Sequence, residues 1–198
     1  MGYALRHRRA DLDGGDLGTA GVVRSYATLP TLIGELDGSR STRVDRLADI
    51  LSAAHLPTTT TDQFFTAKWQ KLLMNVAMSA TSGLTGLAIG EVAAHKELAI
   101  IARRAIDEAA QVAAAEGVTL DYDARHAILD GILKSGAARN KTSMRRDIEA
   151  ARPTEVGAIY GNIIARAKQH GIVVPTLDTL AALMMGLEQA TLAVRRDL

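Results

Sequence analysis

Ser143-Met144-Arg145-Arg146-Asp147-Ile148, then Arg152-Pro153-Thr154-Glu155, then Val156, Ile159, Tyr160 and Gly161: the reading of this chain turns on this stretch. It sets a hydroxyl and a carboxylate among apolar residues at helical spacing. Lys71-Leu72-Leu73-Met74-Asn75, earlier in the chain, adds an amine and an amide within a second helical pattern. These groups suit a small polar substrate with a reducible carbonyl. An ammonium can meet the carbonyl oxygen, an amide and a hydroxyl its other oxygens, and a carboxylate a hydroxyl.

Working outward, the rest of the chain is dominated by helical periodicity. Trp69, Leu72, Leu73, Val76, Ala77 and Ala80 form one apolar stripe, with Gly83 and Gly86 expected to end or bend that helix. Glu91–Glu116 reads as one long alanine-rich helix stopped by Gly117. Asp121 or Asp123 can cap a helix carrying Ile128, Leu129, Ile132 and Leu133. Pro153 fits the first turn of the next helix, with Val156, Ile159, Ile163 and Ala167 inward and Gly171 closing it. Thr176 can cap a last helix with Leu180, Leu183, Met184 and Leu187 inward. Toward the N-terminus, residues 22–26 and 31–35 read as short strands joined across Leu29-Pro30, and Ser41–Ala54 as a helix. The threonines at 58–61 form a linker with an extended stretch. Residues 1–21, rich in glycine and aspartate, read as a flexible tail: G-x-G-x-x-G spacing is absent, and the aspartates would repel phosphate.

Composition narrows the function classes. A length of 198 residues supports a sizeable core, and 47% hydrophobic with only 4% aromatic points to one built from Ala, Leu, Ile, Val and Met. A net charge of +1 argues against a nucleic-acid surface. With no cysteine there is neither a disulfide framework nor a thiol nucleophile. The five histidines fit no metal-ligand spacing, so no metal is expected. No signal peptide is read at the N-terminus, and the densest apolar run, Leu180–Leu187, is too short to span a bilayer. A cytoplasmic protein without membrane partners is expected.

Taken singly, each polar candidate has a plain structural reading. Lys71, Asn75 and Ser79, spaced four apart, can be the polar edge of a helix. Ser143 can be an N-cap, Asp147 a partner for Arg145 or Arg152, and Glu155 a residue favoured by the helix dipole.

Together they carry more. Lys-Leu-x-x-Asn at 71–75, Gly90-Glu91, and Ser-Met-x-x-Asp-Ile…Arg-x-Thr-Glu-x-x-x-Ile-x-Gly at 143–161 resemble the ketopantoate reductase (2-dehydropantoate 2-reductase) family. Residues 165–175 and 33–54 extend the resemblance, which covers about residues 22–190. It implies a mainly α fold: a C-terminal helical bundle of the 6-phosphogluconate dehydrogenase-like type at 63–198. At 22–62 it implies the β remnant of a truncated Rossmann domain, preceded by the tail at 1–21. It further implies NADPH-dependent reduction of 2-dehydropantoate to pantoate, in pantothenate biosynthesis.

By the same resemblance Lys71 is the proton donor to the nascent alkoxide and Glu155 holds the substrate hydroxyl. Asn75 binds substrate and Ser143 lies near its carboxylate; Ser79 stands where the family has a second substrate-binding asparagine, and Ile89 where an asparagine often precedes Gly-Glu. These two departures leave the particular 2-keto acid open. The expected cofactor is NADP by family only, because the strand–G-x-G-x-x-G–helix unit has no counterpart here; this chain alone is expected not to bind NADPH. The expected partner is a small 2-keto acid, and a homodimer is compatible with the chain. The rival reading is a non-catalytic helical module serving packing or self-association.

Overall fold

The computed structural model describes residues 15–17, 23–25, 30–134 and 136–196. The glycine-rich stretches at 1–14 and 18–21, Val22, Tyr26, the Leu29 crossing and the Ile128 side chain lie outside them. The chain divides into two compact units between Phe64 and Phe65.

In the first unit, β1 (Gly15–Leu17) pairs antiparallel with β2 (Val23–Ser25), so a strand lies within the segment expected to be a tail. Strand β3 (Thr31–Ile33) does not continue that sheet. It pairs in parallel with β4 (Thr58–Thr60), in register Thr31 with Thr58 and Ile33 with Thr60. Two parallel strands need a long crossover, and α1 (Thr42–Ala53) supplies it. Gly34 follows β3 because a Cβ there would sit 2.3 Å from the Thr61 carbonyl oxygen.

Ser41 caps α1 by accepting a hydrogen bond from the Val44 N–H. Its hydroxyl donates to Glu35 at 2.5 Å, and Arg43 Nε donates to the same carboxylate at 2.6 Å. Arg43 first, then Ser41, hold the Glu35 carboxyl down at about 2 from its ordinary 4.5. A depressed folded value means that the stability this group contributes is complete above its unfolded pKa and is lost as pH falls through the folded one. The acid limb of the first unit is therefore expected to run from about pH 4.5 down to about 2. Arg43→Ala should flatten it, as read by NMR shifts of α1 during acid titration.

The regular structure described in the second unit is all helical: α2 (Phe64–Thr85), α3 (Ile89–Ala94), α4 (Lys96–Ala115), α5 (Tyr122–Lys134), a 3₁₀ turn (Gly136–Arg139), α6 (Ser143–Glu149), a π-turn (Gly157–Gly161) running into α7 (Asn162–Gln169), and α8 (Pro175–Arg196). Helix α4 packs against α3, α5, α7 and α8. The core is made of Leu73, Val76, Ala77 and Ala80 from α2, Ala102, Ala105, Ile106, Ala109 and Val112 from α4, and Met144, Tyr160, Ile163, Leu177 and Met184. Alanines along α4 let its neighbours approach closely, while each large apolar side chain contributes about 1.5–3 kcal/mol of burial.

Several expectations are corrected. The long helix at 91–116 is two helices, broken at His95, which takes an extended conformation (φ −81°, ψ 115°) and serves as the C-cap of one and the N-cap of the other. The stop at Gly117 is as expected, with φ +82°. Pro153 precedes its helix rather than opening it; the helix starts at Val156, whose N–H is accepted by Thr154 Oγ1 at 3.2 Å. Thr176 does not cap α8. Pro175 takes the first helical position, where its missing N–H costs nothing, and the cap is a carboxylate from far away: Glu108 accepts from the N–H groups of Thr176 and Leu177, both at 2.9 Å.

Leu183 faces solvent at 56% exposure, whereas Leu180 and Met184 are buried. Measured over its whole length rather than its densest run, α8 from Pro175 to Val194 is long and apolar enough to cross a membrane by length and composition. Here its Leu177, Leu180, Ala181 and Met184 belong to the core of the second unit.

Candidate active site

Helix α2 presents Lys71, Asn75 and Ser79 one turn apart. Lys71 and Asn75 are half-buried, while Ser79 is only 4% exposed, deeper than a polar edge. No hydrogen bond joins the Asn75 amide or the Ser79 hydroxyl to another described residue.

Ser143 opens α6 but does not cap it. Thr142 does, accepting from the Arg145 N–H at 3.1 Å, which leaves the exposed Ser143 hydroxyl out of the cap. Asp147 takes its structural reading: its Oδ1 accepts from Arg152 Nε at 3.0 Å and Nη2 at 2.7 Å, pinning the turn in which Ala151 adopts φ +48°. Glu91 likewise closes a cap, accepting from the Ala88 N–H at 2.6 Å.

The turn bearing Glu155 is fixed on both sides. Thr154 donates its N–H at 2.7 Å and its hydroxyl at 2.5 Å to Glu188 Oε2 on α8. One turn beyond Glu155, Tyr160 reaches α2. Its hydroxyl donates to the Val76 carbonyl at 2.8 Å and accepts from the Ala80 N–H at 3.1 Å. Glu155 itself is exposed, and its carboxylate makes no ion pair with a described residue. Burial pushes the Tyr160 phenol above its usual range, so it stays protonated. On the other end of α2, Gly83 lies against Met144, the neighbour of Ser143. Thus α2 meets both the α6 and the π-turn segments of the motif within one unit. A cleft of about 120 Å³ lined by Ser41, Val44, Asp45, Thr60 and Asp62 belongs to the first unit and includes none of these residues.

Thr154 and Tyr160 stand in the deciding stretch without a role of their own assigned to them, and Glu188 was not named. The signal was present only for Tyr160: a tyrosine within the inward period of Val156, Ile159 and Ile163 needs a partner for its hydroxyl.

The family described as "Ketopantoate reductase PanE/ApbA C terminal" matches residues 63–188. A 2-dehydropantoate 2-reductase of Halobacterium salinarum is 32% identical over 166 residues, 83% of this chain and 54% of that protein. The solved 2-dehydropantoate 2-reductase of Methylococcus capsulatus is 32% identical with a TM-score of 0.73, covering 81% of this chain and 51% of that one. A D-mandelate dehydrogenase solved with NADH shares the fold at a TM-score of 0.84, with 22% identity over 91% of this chain and 61% of that one. The fold and its motif define the helical domain of a family of oxidoreductases. The chain belongs to the ketopantoate reductase family, and it spans about half the length of the curated relatives it matches.

Proposed function

We propose that this chain is the substrate-binding half of a cytoplasmic reductase that converts 2-dehydropantoate to pantoate with NADPH. The observation that carries the reading is the Tyr160 bridge, which ties the segment bearing Glu155 to the turn of α2 that holds Asn75 and Ser79. Asn75, Ser79 and Glu155, which have no hydrogen bond or ion pair to another described residue, are in this reading the groups that meet the ligand. In this reading the Lys71 ammonium meets the keto oxygen and gives it a proton as it becomes an alkoxide. Asn75, Ser79 and Ser143 hold the substrate's oxygens, and Glu155 accepts from its hydroxyl.

NADPH does not fit on the described residues. Their βα turn, from β3 into α1, places the Glu35 carboxylate and the Ser41 cap where a pyrophosphate would need open N–H groups. No step is therefore derived through the cofactor, and hydride delivery is assigned to the half of the relatives that this chain does not span.

The reading is tested by calorimetric titration of 2-dehydropantoate. Glu155→Ala is expected to weaken binding roughly tenfold or more, the loss of one charge-assisted hydrogen bond; unchanged affinity would leave Glu155 as a helix-start residue only. A different 2-keto acid is the second reading, favoured by Ser79 and by Ile89 before Gly90-Glu91. Heat of binding from phenylglyoxylate but none from 2-dehydropantoate would select it. Silence with both would favour a packing or association module.

A further inference from the structure

We propose that Tyr160 is a positioning residue for the 2-keto acid: its hydroxyl, delivered by a π-turn, sets the turn of α2 that presents Asn75 and Ser79. The inference rests on the function proposed above and extends it to a group that itself touches no substrate.

In a regular helix the Val76 carbonyl and the Ala80 N–H are partners of one another. Here the Tyr160 hydroxyl, from the π-turn, bonds to both, at 2.8 and 3.1 Å, so a group from outside α2 engages that rung of the ladder. Two bonds from one outside hydroxyl tie this turn of α2 to the segment that carries Glu155. The rung runs from 76 to 80, and Asn75 and Ser79 bracket the same turn on the α2 side that carries Lys71. A change at the rung alters where the amide and the hydroxyl point without altering what they are.

A second feature converges on the same contact. Gly157–Gly161 is a π-turn, a widened turn found frequently at functional sites. A Cβ at Gly157 or Gly161 would meet nothing within 4 Å, so the widening does not serve close packing at its ends. What it delivers is Tyr160, completely buried. A phenylalanine would occupy the same space and remove both bonds to α2. The tyrosine hydroxyl is thus a constraint on α2 rather than a requirement for filling the core.

The test compares Tyr160→Phe with Ile163→Val, a buried truncation on the same helix, in the 198-residue chain. 2-Dehydropantoate is titrated into each by calorimetry, with thermal midpoints and amide exchange at Ala80 recorded alongside. Tyr160→Phe is expected to bind roughly tenfold more weakly and to change exchange at Ala80. Ile163→Val should bind like the parent even where its midpoint falls as far. Equal affinity of Tyr160→Phe and the parent would overturn the positioning role and leave the proposed function standing; equal weakening in both variants would overturn it too, as general loosening. A parent chain that does not bind would overturn the function, and this inference with it. As a check that needs no variant, the Tyr160 ring and the Asn75 and Ser79 amides should shift together in NMR spectra on saturation with 2-dehydropantoate. A silent Tyr160 would count against the inference.

Discussion

Lys71→Ala is expected to lower NADPH-dependent turnover of 2-dehydropantoate by roughly 10²–10⁴-fold, the range for losing a positioned general acid. The measurement is steady-state kinetics on a protein that joins this chain to the nucleotide-binding half implied by its family. The proposed ammonium has two contributions to lose: attraction to the charge developing on the carbonyl oxygen, and the proton itself. Lys71→Arg separates them, because a guanidinium keeps the charge but does not release a proton near neutral pH. Arginine should therefore recover part of the affinity and little of the turnover. The fold should survive either change, since Lys71 is half-buried on a long helix and alanine is the best helix former. Turnover close to that of the parent would remove Lys71 from the acid role.

Glu108→Ala is expected to have the largest effect on stability, about 2–4 kcal/mol in denaturant unfolding of the second unit. Glu108 is 9% exposed, and both its oxygens are engaged by the first N–H groups of α8. Removing it leaves those two donors unsatisfied beside a buried void, at the start of a 22-residue helix whose macrodipole favours a negative charge at that end. Glu108→Gln keeps one strong acceptor and should cost about half as much. An alanine variant within about 0.5 kcal/mol of the parent would mean that water replaces the carboxylate there.

What was legible in the sequence was what local rules govern. The apolar periods of α1, of α2 and of the helix from Val156, and the glycine stop at 117, are decided within a few residues. The failures share a cause: a partner distant in the chain. The break at His95 carries no glycine or proline to announce it; instead Ile89 bonds to the Asn140 carbonyl and Gly90 packs on Ala138, which fixes α3 separately from α4. Thr176 has the right chemistry for a cap, but Glu108 occupies that role across 68 residues. The parallel pairing of β3 with β4 was hidden because threonines 58–60 read equally as linker and strand. For the candidate site, the residue types came from the sequence, whereas the tie between the π-turn and α2 through a buried phenol could only come from coordinates.

Gly83 has a consequence for oxidative damage. A Cβ at that position would lie 2.9 Å from Met184 Sδ and 3.6 Å from Met144 Cγ, so the Met184 thioether rests on the bare α2 backbone with the Met144 side chain beside it. Both methionines are sealed from solvent, while Met74 and Met185 are 42% and 46% exposed. Peroxide thus meets the outer pair first, where a sulfoxide's added oxygen points into water and disturbs little. An oxygen gained by Met184 has no such outlet: it would wedge α8 away from α2, turning a chemical lesion at one sulfur into the parting of two helices.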